Sequence, residues 1–256
     1  MGVLAEILAA KRAELSELGG RALPHPPARR AVVLARKPGE PLRLIAEIKR
    51  RSPSAGVLST VLSVAERASA YERGGASLIS VLTDRQFFDG GYENLQAARK
   101  SSTLPLLCKD FIIDERQLDA ARAYGADAAL LIVRCISAPD LSRLVLAARS
   151  RELVPFVEVV TEDEARLALD AGADLIGVNT RDLDTLTMDP ARAERILALL
   201  PTSVTRVQLS GIRSPDAVAR VAQSGVDAAL IGEALMRADD PEPLLRQMVA
   251  SAAAPG

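Results

Sequence analysis

The chain has 256 residues, with 32 Lys or Arg against 33 Asp or Glu, a formal net charge of −1, 48% apolar residues, 3% aromatics and no Trp. That balance leaves no basic footprint for a nucleic-acid backbone, and so few aromatics leave no stacking platform for bases. What remains is a globular chain with an aliphatic core, of a size that a single α/β barrel commonly fills.

In chain order, residues 3–18 read as an amphipathic helix and residues 24–41 as a proline- and arginine-rich connector. Residues 1–41 are expected to precede the main body as an extension that caps one end of it or flanks its active site. The lone histidine, His25, sits in the loop Pro24-His25-Pro26-Pro27. One histidine supplies neither a zinc cluster nor a Ser-His-Asp triad, so no metal site is expected. Nothing near the N-terminus forms a signal-peptide core, and no apolar run is long enough to span a bilayer. Cys108 and Cys135 both lie in apolar runs, as small core residues of a reducing compartment do. A cytoplasmic location without membrane or nucleic-acid contact follows as the expectation.

From residue 42 onward, short runs rich in Val, Ile and Leu alternate with helix-like stretches. The runs are 42–48, 77–82, 104–109, 128–133, 154–159, 174–179, 204–210 and 228–232, and between them lie amphipathic segments such as 162–170 and 215–223. Four helix-to-strand junctions are alike: Gly74-Gly75-Ala76, Gly125-Ala126-Asp127, Gly172-Ala173-Asp174 and Gly225-Val226-Asp227. Glycine there suits a left-handed helix C-cap that runs at once into a buried strand. Strands alternating with helices predict parallel βαβ units, and eight of them predict a single (β/α)8 TIM barrel over 42–256. A doubly wound open sheet is the competing architecture. It would carry a glycine-rich turn after the first strand, and none follows Ile48.

Barrel active sites lie at the C-terminal ends of the strands. In the first strand, alternation puts Ile45, Glu47 and Lys49 on one face and Ile48 on the other. An ordinary ion pair at a solvated strand end would explain Glu47 and Lys49 alone. The other strand ends add Lys109 (beside Leu107), Glu158 (beside Phe156), Asn179 and Ser210. Two carboxylates and two lysines converging on one mouth point to general acid–base catalysis, with a Schiff base on Lys109 as a second possibility. The turns after the last two strands, Ser210-Gly211-Ile212 and Gly232-Glu233-Ala234, expose backbone N–H groups where barrels usually hold phosphate. A small phosphorylated substrate is therefore expected.

These tracts resemble the indole-3-glycerol-phosphate synthase family. The resemblance rests on Ile45-Ala46-Glu47-Ile48-Lys49 with Ser52-Pro53-Ser54, Ser80-Val81-Leu82-Thr83-Asp84 with Phe87-Phe88, and Cys108-Lys109-Asp110-Phe111-Ile112. It continues through Val157-Glu158-Val159, Gly177-Val178-Asn179-Thr180-Arg181-Asp182-Leu183 and Ile231-Gly232-Glu233-Ala234-Leu235-Met236. It implies cofactor-free ring closure of 1-(2-carboxyphenylamino)-1-deoxyribulose 5-phosphate with loss of carbon dioxide and water. Lys109 is implied as general acid, Lys49 as a cation for acidic substrate groups and a proton donor in dehydration, and Glu158 and Glu47 as base and electrostatic partners. Asn179, Arg181 and Leu183 are implied to orient substrate, with Phe88, Phe111 and Leu130 or Leu131 lining the aromatic pocket. Ser52, Ser210, Gly211, Gly232 and the Glu233 amide are implied to hold phosphate. A monomer or weak oligomer is implied, with other tryptophan-pathway enzymes as candidate partners. The chain departs from the family where a glutamate usually precedes Ser-Gly in the seventh strand: Leu209 stands there. That substitution raises a non-catalytic or weakly active paralogue, and a related sugar-phosphate barrel enzyme, as alternatives.

Overall fold

All eight apolar runs form strands in the computed structural model, which describes residues 2–20, 22–53, 56–182 and 187–253. Along these residues the chain runs α1 (Val3–Leu18), β1 (Arg43–Ile48), a hairpin of β2 (Arg51–Ser52) and β3 (Gly56–Val57), α2 (Val64–Gly74), β4 (Leu78–Leu82), α3 (Arg85–Phe88), α4 (Tyr92–Ser101) and β5 (Leu106–Lys109). It continues through α5 (Glu115–Ala123), β6 (Ala128–Ile132), α6 (Ala138–Ser150), β7 (Val154–Val159), α7 (Glu162–Asp170), β8 (Leu175–Asn179) and α8 (Pro190–Leu199). The last elements are β9 (Thr205–Leu209), α9 (Pro215–Ala222), β10 (Ala228–Ile231), α10 (Glu233–Arg237) and α11 (Glu242–Ser251). Strand β1 and strands β4 to β10 close into a parallel barrel in chain order, β1 pairing with both β4 and β10. The chain is a (β/α)8 TIM barrel with an N-terminal helix.

Strand alternation divides the core into two. Ile45, Leu78, Leu107, Leu130, Phe156, Leu175, Val207 and Leu230 point inward and pack together. Their neighbours Leu44, Ile79, Cys108, Leu131, Val157, Ile176 and Ala229 point outward and pack under the helices. Helix starts follow from local chemistry. Ser63 accepts from the Glu66 amide while Glu66 reaches back to the Ser63 amide, and Asp84, Asp114, Ser137, Thr161, Asp189 and Ser214 each cap a helix with a side-chain oxygen. The predicted glycine junctions hold: Gly75, Gly125, Gly172 and Gly225 have φ between 77° and 105°.

The extension occupies both ends of the barrel. Beneath the strands, buried Asp127 accepts from the amides of Arg30 (2.7 Å) and Leu106 (2.9 Å) and from Arg99 Nη1 (2.6 Å). Asp227, at the matching position before β10, accepts from the amides of Arg36 (3.2 Å) and Arg206 (2.8 Å). These bonds strap the connector across the N-terminal ends of the strands, where buried Leu34 joins the inner cluster. Helix α1 packs at the other end, with Leu4 and Ile7 in the same inner cluster.

Candidate active site

Inward residues at the strand ends reach a cavity at the C-terminal mouth, where Glu47, Lys109 and Glu158, with Lys49 just past β1, bring four charges together. Glu47 and Glu158 are buried, their side chains 3% and 1% exposed, whereas Lys49 and Lys109 are 21% and 20% exposed. The carboxylates thus form the floor, and the ammonium groups face the open space. Lys49 Nζ lies 2.7 Å from Glu47 Oε1. Lys109 Nζ stands between the two acids, 3.8 Å from Glu47 Oε2 and 3.9 Å from Glu158 Oε2. Two buried carboxylates without cations would each carry a penalty of several kcal/mol, on the order set by ion desolvation. The paired lysines make the quartet electrically neutral and offset it.

Each acid is also held by hydrogen bonds. Asn179 Nδ2 donates to Glu158 Oε1 at 2.8 Å. The same amide's Oδ1 accepts from Ser210 Oγ (2.6 Å) and from the Arg181 N–H (3.0 Å), which fixes its orientation. Glu158 Oε2 is buried and has no hydrogen-bond partner among the described residues; its nearest charged neighbour is Lys109 Nζ at 3.9 Å. Buried Tyr71 donates its O–H to the Glu47 carbonyl at 3.0 Å and so anchors β1 from behind.

Electrostatics keeps Lys109 and Glu47 charged. Burial pulls the Lys109 ammonium toward deprotonation, but Glu158 and Glu47 outweigh it and raise its pKa above the ordinary lysine value. Burial pushes the Glu47 carboxyl up, and Lys49 and Lys109 overcome it and hold the group below the usual carboxylate range. A protonated Lys109 suits proton donation. It argues against the Schiff-base possibility, which needs the free amine as nucleophile.

The cavity wall gathers most of the predicted residues. Ser52, Phe88, Phe111, Leu130, Asn179, Arg181, Ser210, Gly211, Gly232 and Glu233 all line it. Phe88 and Phe111 meet with ring centroids 6.0 Å apart and planes tilted by 37°. Two expectations change and a third goes untested. Leu131 packs under the helices because it alternates with the inward Leu130, so it does not line the pocket. Ser210 is not the last inward strand residue. Leu209 is, and Ser210 reaches the mouth because the backbone turns left-handed there, at φ 62°. Leu183 falls outside the described residues. Leu209, 3% exposed, does line the cavity, as its shared face with Val207 requires.

Sequence reasoning missed part of the wall. Val3, Leu4 and Ile7 of α1, Leu58 beyond the β2–β3 hairpin, Asp110, and Ile212 with Arg213 in the turn after β9 also line the cavity. The helical spacing of Leu4 and Ile7 marked an apolar face but not what it would cover. Arg213 directly follows Ser210-Gly211-Ile212, and that adjacency was the available signal.

Comparison with known proteins agrees with this geometry. A model of the indole-3-glycerol phosphate synthase family matches residues 4–248. The indole-3-glycerol phosphate synthase of Streptomyces griseus is 42% identical over 264 residues, covering 100% of this chain and 97% of that protein. That of Kineococcus radiotolerans is 43% identical over 256 residues, covering 98% and 93%. Among solved structures, 3-hexulose-6-phosphate synthase from Salmonella typhimurium superposes with a TM-score of 0.67 at 17% identity, covering 82% of this chain and 98% of that one. Thiamine phosphate pyrophosphorylase from Pyrococcus furiosus gives 0.62 at 21% identity, covering 82% and 95%. At such identities these two show the shared barrel alone.

Proposed function

This chain belongs to the indole-3-glycerol phosphate synthase family, carboxy-lyases of tryptophan biosynthesis, and on that premise we propose how its own residues divide the chemistry. The substrate, 1-(2-carboxyphenylamino)-1-deoxyribulose 5-phosphate, loses carbon dioxide and water as the indole ring closes. The observation that carries the assignment is Lys109, protonated and held between Glu47 and Glu158 at the floor of the cavity, with buried Glu158 Oε2 keeping an unfilled acceptor beside it.

Lys109 donates its proton to the ketone oxygen as the ring carbon bearing the carboxylate attacks the ketone carbon. The ring becomes cationic, and Glu158 and Glu47 stabilise that charge from below. Such preorganised groups act most strongly where water is excluded. Loss of carbon dioxide returns the electron pair to the ring. Lys49, paired with Glu47, holds the substrate carboxylate and then protonates the hydroxyl that departs as water. Glu158 Oε2 accepts the proton that leaves the carbon skeleton. Asn179 keeps Glu158 in place, and Arg181 faces the acidic parts of the substrate. Phe88, Phe111 and Leu130 sandwich the aromatic ring. Ser52, Ser210 and the amides of Gly211, Gly232 and Glu233 receive the phosphate, in the turns where barrels usually bind it.

The two cysteines, Cys108 and Cys135, both buried, support a cytoplasmic setting, and among the described residues no helix is long and apolar enough to cross a membrane. The reading has the chain work as a monomer or weak oligomer, with the extension on residues 1–41 and the barrel on 42–256.

Fluorescence detection of indoleglycerol phosphate formed by the purified chain tests the proposal. Turnover is expected, and Lys109→Ala is expected to abolish it while leaving substrate binding measurable. Turnover retained in Lys109→Ala would remove Lys109 from the role of acid. A wild-type chain that binds substrate tightly without turnover would favour the non-catalytic paralogue, the reading that Leu209 in the cavity wall raises.

A further inference from the structure

Lys11 is the one lysine of α1, and it is buried to 1% exposure although a helix surface offers water on its other side. Its ammonium contacts three carboxylates: Asp110 Oδ1 at 2.8 Å, Asp84 Oδ2 at 2.9 Å and Glu14 Oε2 at 2.9 Å. Asp84 and Asp110 are themselves buried, at 0% and 2% exposure. Burial pulls Lys11 toward the neutral amine, and Asp110 and Asp84 outweigh it and keep the proton firmly in place. No step of the proposed mechanism uses this cluster.

The two aspartates organise the turns that carry the reactive groups. Asp84 follows β4 and caps α3, its Oδ1 accepting from the Phe87 amide at 2.7 Å, and α3 ends on Phe88. Asp110 follows Lys109 directly, with Oδ1 accepting from the Phe111 amide at 2.8 Å and Oδ2 from Thr83 Oγ1 at 2.7 Å. One ammonium therefore ties together the turn that presents Phe88 and the turn that presents Lys109 and Phe111. Ile7 and Leu4 lie on the same face of α1 as Lys11, one and two turns away, and line the cavity.

We infer that Lys11 is a positioning residue for the reaction: from the N-terminal helix it clamps Asp84 and Asp110, and so sets the aromatic wall of Phe88 and Phe111 and the root of Lys109. A site assembled from two turns needs their relative placement held to a fraction of an ångström. The clamp supplies that placement through close ion pairs that are shielded from water, where opposite charges attract most strongly. The inference rests on the roles proposed above for Lys109 and the aromatic wall.

Full-length wild type, Lys11→Met, Lys11→Arg and Lys109→Ala are compared by steady-state kinetics at a temperature where circular dichroism shows each variant folded. Lys11→Met is expected to lose about 10- to 100-fold in kcat/KM, with KM rising as the aromatic wall loosens. Lys11→Arg, which keeps a cation, is expected to recover most of that loss. A folded Lys11→Met with wild-type kcat and KM, changed only in melting temperature, would overturn the inference and leave Lys11 an anchor for the helix. Should Lys11→Met not fold, Asp84→Asn removes one clamped charge while keeping an acceptor for the Phe87 amide. Its KM is expected to rise, and an unchanged KM overturns the inference equally. Full turnover by Lys109→Ala would instead defeat the functional reading, so the two failures are distinct.

Discussion

Gly232 gives the most direct test of how closely Glu47 must be placed. A methyl group at Gly232 would lie 2.5 Å from Glu47 Oε1 and 3.3 Å from its Cδ. Ordinary contact begins near 3.4 Å, so the carboxylate oxygen must retreat by about 0.9 Å. The backbone of Gly232 has φ −117°, open to alanine, so the substitution acts through this collision and not through strain. The retreat stretches the 2.7 Å contact with Lys49 and moves Glu47 relative to Lys109. Misplacement on this scale is worth about 10²-fold in rate. Gly232→Ala should therefore lower kcat by about that factor. The assay is steady-state formation of indoleglycerol phosphate by fluorescence, with inorganic phosphate as a competing ligand. The phosphate inhibition constant reports on the turn to which Gly232 contributes its amide and should change little, since alanine keeps that N–H and the methyl points at Glu47. A kcat within about twofold of wild type, smaller than any effect expected from a 1 Å displacement, would refute the reasoning and show that Glu47 tolerates movement.

Three further outcomes follow from the same contacts. Leu209→Glu places a third carboxylate on the inward face, in register with Asn179, and should raise kcat by about tenfold, roughly 1.4 kcal/mol of transition-state stabilisation; an unchanged rate would mean that the site is built around leucine. Glu47→Gln removes one of the two carboxylates that keep the proton on Lys109, so the alkaline limb of the kcat–pH profile should move to lower pH. An unmoved limb would detach that limb from Lys109. Asp127→Ala leaves Arg99 buried beside two backbone donors without their acceptor, and urea unfolding should show a loss of about 3–5 kcal/mol. A loss below about 1 kcal/mol, the scale of a single net hydrogen bond, would show that the connector strap carries little of the stability.

Much of the site could be read along the chain because strand alternation is a local rule. Placing Glu47 with Ile45, Lys109 with Leu107 and Glu158 with Phe156 needed only a count of two, and the inner cluster contains each of those apolar partners. The same rule decides against Leu131 and for Leu130. It stopped working at Ser210, where a left-handed residue takes the chain off the strand, and no period describes the position of a side chain beyond such a turn. The first 41 residues were the least legible. Their helix was plain from its spacing, but an amphipathic pattern says which face is buried and not against what.

By itself, the sequence determined the alternation of strands and helices, the capped junctions between them, and the set of charges that faces the barrel mouth. All of these follow from interactions within a few residues of each other. The tertiary structure alone decided that α1 lies over that mouth, that Lys11 reaches Asp84 and Asp110, and that Asp127 and Asp227 hold the connector across partners 97 and 191 residues distant. Contacts at such separations depend on the closed barrel bringing two surfaces together, and periodicity along the chain carries no record of that meeting.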